Sequence, residues 1–379
     1  MALVLNEEQT LLNETAAQFF QEQVPISNLR KLRDDNDAFG IDRNIWKECA
    51  NLGFAGVLIS ETYGGSSFGP IGLGLILEQS GKTLSATPFV STVLLCGTAI
   101  QLAGNSTQRQ EYLPAIAAGE RICALALEER AHHNPTHIET TAIQTENGFT
   151  LNGTKTFVLD GHIADQLIVA ARTSGATTDQ HGITLFLVPA KSDGVSIERM
   201  QMADSRNAAK VTLTNVTVSD ADVLGSVDGG SDVLDPVLDM GRIGLAAETL
   251  GLIQEVFDQT VAYLKERKQF GEVIGSFQAL KHRAATMFAE IEVCRSIVLE
   301  ALSALEEQRN DVPHLASLAK AKLGEVSRLV TNEGLQMHGG VGMTDEFDLG
   351  LFMKRARVAA ATLGDANFHR DRYATLSNY

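Results

Sequence analysis

The chain has 379 residues, of which 44% are hydrophobic and 21% charged, and carries a formal net charge of −16. That length exceeds what one core usually fills, so two or three packed units are expected, and no apolar run of about 18 residues calls for a membrane span. An acidic balance without a basic cluster opposes a phosphate backbone, which excludes nucleic acid as an expected partner.

The opening, Met-Ala-Leu-Val-Leu-Asn-Glu-Glu-Gln, has the pattern of neither a secretory signal nor a transit peptide, and the expected location is cytoplasmic. From Asn6 to about Gly119 the pattern is helical. Asn6 and Gln9 are spaced as a capping box, and turn chemistry at Gly104-Asn105-Ser106 starts the helix containing Tyr112. From about Arg121 to Leu224, β-branched runs alternate with Gly, Asn and Asp. They predict strands over Ile122–Leu127, Thr140–Gln144, Phe149–Leu151, Gln166–Arg172, Gly182–Val188, Val195–Arg199 and Ala209–Val216. Asn147-Gly148 marks a hairpin. With no helical crossover between these runs, an antiparallel barrel or sandwich is expected. Four long helical stretches follow, Ile243–Arg267, Phe277–Gln308, Val312–His338 and Asp345–Thr362, which together read as a four-helix bundle. The expected architecture is therefore α+β multidomain: an all-helical domain over 1–120, a β domain over 121–225 and a helical bundle over 226–379.

Cys49, Cys96, Cys123 and Cys294 are too widely spaced for metal ligation and read as buried reduced thiols. The nine histidines likewise lack metal spacing. His132-His133, beside the turn signal Asn134-Pro135, is expected to be a solvated loop.

Two stretches carry chemistry. In Arg267-Lys268-Gln269-Phe270-Gly271 an arginine could meet a dinucleotide's pyrophosphate, while Phe270 and the downstream Gln278 suit an adenine and ribose. In Gln336-Met337-His338-Gly339-Gly340-Val341-Gly342 a helix ends with more glycine than a C-cap requires, which implies close approach by a ligand or another chain.

These stretches, with Leu52-Gly53-Phe54, Glu61-x-Tyr63-Gly64-Gly65, Asn152-Gly153-x-Lys155 and Ala164-Asp165, fall in the order of the acyl-CoA dehydrogenase flavoproteins, which the chain resembles along essentially its full length. The resemblance implies FAD as cofactor, α,β-dehydrogenation of an acyl-CoA thioester, and an electron transfer flavoprotein as electron acceptor. It implies an oligomer, a dimer or a homo- or hetero-tetramer with a related subunit, in which Arg267, Phe270, Gln278, Gln336, Gly339 and Gly340 reach flavin. Asp239 and Arg242 match positions that contact the CoA portion of the substrate; a local Asp-Arg salt bridge is the alternative.

Three departures stand out. The family's catalytic glutamate falls on Leu363, and its second known position falls on Gly241. Its flavin loop is replaced by Leu127-Glu128-Glu129-Arg130-Ala131-His132-His133-Asn134, and its tryptophan-containing strand by Thr156-Phe157-Val158-Leu159-Asp160. Glu248 interrupts an apolar helix seven residues after Gly241, nearly two turns on and so on the same face, which makes it the candidate base. Its alternative is a structural carboxylate paired with Arg283 or Arg242. The chain looks like the subgroup serving steroid side-chain or other bulky acyl-CoAs, in which it could be the small subunit of a heteromeric enzyme. The expected function is dehydrogenation with Glu248 as base; the alternative is a non-catalytic subunit completing a catalytic partner's flavin site.

Overall fold

A computed structural model describes residues 5–379. Six helices lead: α1 (Glu7–Gln23), α2 (Ile26–Asp34), α3 (Arg43–Asn51), α4 (Gly69–Lys82), α5 (Thr98–Ala103) and α6 (Ser106–Ala117). Asn6 and Asn105 cap α1 and α6 through reciprocal capping boxes with Gln9 and Gln108, satisfying amides that a first turn leaves open. Between α4 and α5 runs a nine-residue π-helix, Phe89–Gly97, buried throughout. No sequence signal distinguished it from an α-helix.

Eight strands follow: β1 (Cys123–Ala126), β2 (Thr141–Thr145), β3 (Gly148–Leu159), β4 (Gln166–Arg172), β5 (Ile183–Pro189), β6 (Val195–Gln201), β7 (Asn207–Val218) and β8 (Val223–Leu224). They form one sheet in the order β6-β7-β3-β2-β4-β5-β8, with β1 also on β4. Pairing is antiparallel except that β1 and β2 each run parallel to β4, the β2–β3 hairpin intervening along the chain between β1 and β4, and β3 between β2 and β4. In that hairpin Thr145 pairs with Gly148, so Glu146 and Asn147 hold the turn. Of the Asn-Gly pair only Gly148 takes a positive φ, +135°, where a Cβ would stand 2.0 Å from Val218 O. One face of the sheet closes over an apolar core that includes Leu151, Val169, Val211 and the edge-to-face pair Phe149–Phe186.

The chain then forms α7 (Gly230–Glu266), a short hairpin of β9 (Lys268–Gln269) and β10 (Glu272–Val273), and α8 (Gln278–Glu306), α9 (Val312–His338), α10 (Leu349–Ala361) and α11 (Ala366–Leu376). The last helix lies in the region expected to be helical but beyond the four stretches named from the sequence; Asp365 caps it by accepting from Phe368 N at 2.9 Å.

The described residues pack as two compact units. One comprises the chain through Lys31, Pro70–Ser85 and Arg242–Tyr379; the other comprises Leu32–Gly69 and Ala86–Gly241. The leading helices are thus divided between the two. Among the described residues no helix is long and apolar enough to cross a membrane.

Candidate functional site

Within the bundle unit, the two glycine-bearing stretches singled out by sequence are held together by an aromatic contact. Tyr263, one turn before the end of α7, stacks on His338 at 4.2 Å between ring centroids and donates its hydroxyl to His338 O at 3.4 Å. Gly334 lets the helices approach this closely, since a Cβ there would stand 2.8 Å from Val256 Cγ1. His338 Nδ1 donates to Gly334 O at 2.8 Å, and burial lowers the affinity of this ring for a second proton. The stack fixes the end of α7 against the end of α9.

From these ends the candidate groups point outward. Gln269 pairs with Glu272, leaving Phe270 and Gly271 as a two-residue turn with φ of +55° and +81°. Phe270 is 94% exposed and meets Phe277 edge-on at 6.3 Å, while Arg267, Gln278 and Gln336 are exposed. Gly339, at φ +65°, ends α9, and a Cβ at either Gly339 or Gly340 would meet nothing within 4 Å. An exposed guanidinium, two ring faces, two amides and open backbone fit an adenine dinucleotide arriving from outside this unit.

Glu248, on α7, is 3% exposed. Its Oε1 accepts from Arg355 Nε at 3.0 Å and its Oε2 from Arg355 Nη2 at 2.9 Å. Of the two arginines named from the sequence, Arg283 pairs with Glu333, and Arg242 Nε donates to Leu363 O at 3.3 Å while its guanidinium lies over the Phe368 ring. A third cation closes the cluster. Lys320 donates to Ala359 O at 2.6 Å; burial, with Arg242 and Arg355 nearby, pushes its ammonium down to about 7. Leu363 itself is buried at φ +58°, an unusual conformation for a bulky side chain, and its carbonyl also receives His369 Nε2 at 3.0 Å. Leu363 therefore combines a strained, clamped backbone with an aliphatic side chain. Asp239 and Arg242 are 2% and 1% exposed, and Gly241 is buried between them.

In the sheet unit the expectation of a solvated His132-His133 needs correcting. His132 is exposed, but the His133 side chain is 4% exposed and its Nδ1 is bonded to Glu128, whose carboxylate folds back to capture it. Phe157, where the family has tryptophan, sits on a bulge of β3 at φ +49° and is 44% exposed. All four cysteines are free and buried, and burial pushes the Cys123 and Cys294 thiols up to about 12. Among the described residues no group of His, Cys, Asp and Glu could hold a metal ion.

The N-terminal, middle and C-terminal domain models of the acyl-CoA dehydrogenases match residues 6–120, 123–218 and 228–375. The mitochondrial isovaleryl-CoA dehydrogenase of Pongo abelii is 31% identical over 374 residues, 97% of this chain and 88% of that one. The chain belongs to the acyl-CoA dehydrogenase family. This acyl-CoA dehydrogenase is also 27% identical, over 94% of each chain, to the caffeyl-CoA reductase-Etf complex subunit CarC of Acetobacterium woodii. Among solved structures, a variant of the Tcur3481-Tcur3483 steroid ACAD superposes with a TM-score of 0.88 at 31% identity, covering 98% of each chain. As in its relatives, the redox cofactor is FAD, and the enzyme is a flavin-dependent oxidoreductase. The candidate cofactor groups singled out from the sequence are exposed, but Tyr263, Arg355 and Lys320 were not singled out, because their parts depend on helices far apart in the chain.

Proposed function

We propose that this acyl-CoA dehydrogenase acts on a bulky acyl-CoA, of the steroid side-chain kind, as one subunit of a mixed assembly in which a related chain supplies the catalytic base and an electron transfer flavoprotein removes the electrons. The observation that carries this reading is the bidentate Glu248–Arg355 pair, both members buried, in a bundle whose two usual base positions hold Leu363 and Gly241. Dehydrogenation removes a proton from Cα and a hydride from Cβ; FAD, when bound, accepts the hydride. A base must present an unengaged lone pair to the Cα proton, and both oxygens of Glu248 already face a guanidinium.

What this chain's residues do in that scheme is bind and orient. Arg267 offers two-pronged bonding to a pyrophosphate, Phe270 and Phe277 offer ring faces, Gln278 and Gln336 offer amides, and Gly339 and Gly340 admit a close approach to backbone. In this reading Asp239 and Arg242 serve the substrate side, Arg242 by fixing the Leu363 carbonyl. Likeness to the steroid ACAD supports a bulky acyl group and a two-chain assembly, and likeness to the Etf-complex subunit supports the electron acceptor.

A second reading keeps Glu248 as the base. It is favoured by the burial of a carboxylate in an otherwise apolar stretch of α7, and by the capacity of a carboxylate to accept more than two hydrogen bonds. Glu248→Gln in the purified assembly separates the two. Turnover held near the unsubstituted rate, with a lowered melting temperature, supports a bracing role; a fall of at least ~100-fold in folded protein makes Glu248 the base.

A further inference from the structure

The loop from Leu127 to Thr140, which joins β1 to β2, replaces the flavin loop of the family, and in this chain its polar groups are engaged with one another. The Glu129 carboxylate, 4% exposed, accepts from Lys155 Nζ at 2.7 Å, from Thr140 N at 2.9 Å and from Glu139 N. Lys155, whose side chain is wholly buried, also donates to Leu127 O at 3.2 Å. Glu128 holds His133, and its carbonyl accepts from Thr156 N at 2.8 Å. Farther along, Arg172 spreads its guanidinium over the carbonyls of Thr136, Thr177, Asp179 and His181 at 2.7 to 3.0 Å, and Ile138 N donates to Thr177 O at 3.0 Å. Arg130 and His137 both close on Glu139 at 2.8 Å. This is a loop sewn to its own sheet.

An oxidised isoalloxazine presents acceptors at N1, O2, O4 and N5 and a single donor at N3, so its seat must supply N–H and O–H groups. The side chains this loop adds do the opposite: the Glu128 and Glu129 carboxylates accept, and the Lys155 and Arg172 donors are directed inward at Glu129 and at carbonyls. Phe157, whose neighbour Thr156 is bonded to Glu128, still exposes a ring, so the stacking face is kept while the donors are turned away. A carboxylate beside the ring also opposes the negative charge that reduction places on it.

We propose that the sheet unit of this chain is a self-sealed flavin seat that takes no FAD, and that the chain meets flavin only through the Arg267 and Gly339 face of its bundle, on a flavin seated in another chain. This rests on the mixed-assembly reading above and deepens it. The test is a titration of the full chain, expressed alone and stripped of flavin, with FAD, followed by flavin absorbance and fluorescence. The unsubstituted chain is compared with Glu128→Thr/His133→Gly, which removes the carboxylate and releases the loop, and with Glu128→Gln, a near-isosteric change that turns an acceptor into a donor. The expected result is sub-stoichiometric FAD on the unsubstituted chain and binding at least ~10-fold tighter in whichever variant retains the native circular dichroism spectrum. Stoichiometric FAD that survives Arg267→Ala on the unsubstituted chain overturns the proposal, and so does the absence of any gain in both variants. The broader reading fails separately, if FAD in the complete assembly is indifferent to Arg267→Ala.

Discussion

At the scale of single residues, the Glu248–Arg355 pair is a buried ion pair whose value lies in being complete. Arg355→Leu removes the two-pronged partner of a carboxylate at 3% exposure, and the expected loss is about 3–5 kcal/mol in chemical denaturation. Glu248→Leu with Arg355→Leu removes both charges and should recover most of that loss; a double variant as unstable as the single one would show that the pair is not the coupling. Lys320 gives a pH signature. Its ammonium titrates near 7 in the folded chain against 10.5 for a free lysine, first because it is buried and then because Arg242 and Arg355 repel it. Between those values the unfolded chain binds a proton that the folded chain does not, so this group's contribution to stability rises with pH across the window and is lost as pH falls through it. Lys320→Met should therefore raise the melting temperature at pH 7 and have progressively less effect toward pH 10.5. A gain independent of pH would contradict this assignment.

At the scale of elements, α4 and α7 cross backbone to backbone where the candidate base sits. A Cβ on Gly81 would stand 2.0 Å from Glu248 O, and one on Gly251 would stand 1.7 Å from Glu78 O. Across the same contact Arg295, on α8, bonds Glu78 and Gln254 at 2.8 Å each. Gly251→Ala must push the helices apart, and a loss of about 1–3 kcal/mol is expected in urea unfolding. An unchanged midpoint would mean that the crossing yields freely. The glycines of α4 and α7 were visible in the sequence as apolar helix, but their use as a crossing was not, because helix propensity argues against glycine wherever packing does not demand it. The strand runs were legible because alternation and turn residues are local, and Gln166–Arg172 was predicted with the bounds the structure gives. The β1–β4 parallel pairing was hidden, since the partners are separated by a hairpin and no local signal records which strand a segment will choose.

At the scale of the whole molecule, an exposed ring at Phe270 and an exposed Met343, 94% and 73% accessible, lie on a bundle unit whose candidate cofactor groups all face outward. In the proposed assembly, these apolar groups and open glycines form the surface that another chain completes. Arg267→Ala should weaken FAD retention by the assembly about tenfold or more, from loss of a charge-assisted hydrogen bond worth about 1.5–3 kcal/mol. Flavin per chain after gel filtration measures it, and full retention would remove Arg267 from the cofactor site.

The sequence by itself determined the family and the helical and β regions, because each is written in local pattern or in residues of fixed spacing, and it singled out the residues proposed to meet flavin. Tertiary structure alone decided what the buried charges do. Glu248 faces Arg355 across 107 positions, Arg242 reaches Leu363 across 121, and Glu129 closes on Lys155 across 26. A buried charge takes its meaning from the partner that compensates it, and that partner is chosen by helix and strand packing rather than by the neighbouring sequence.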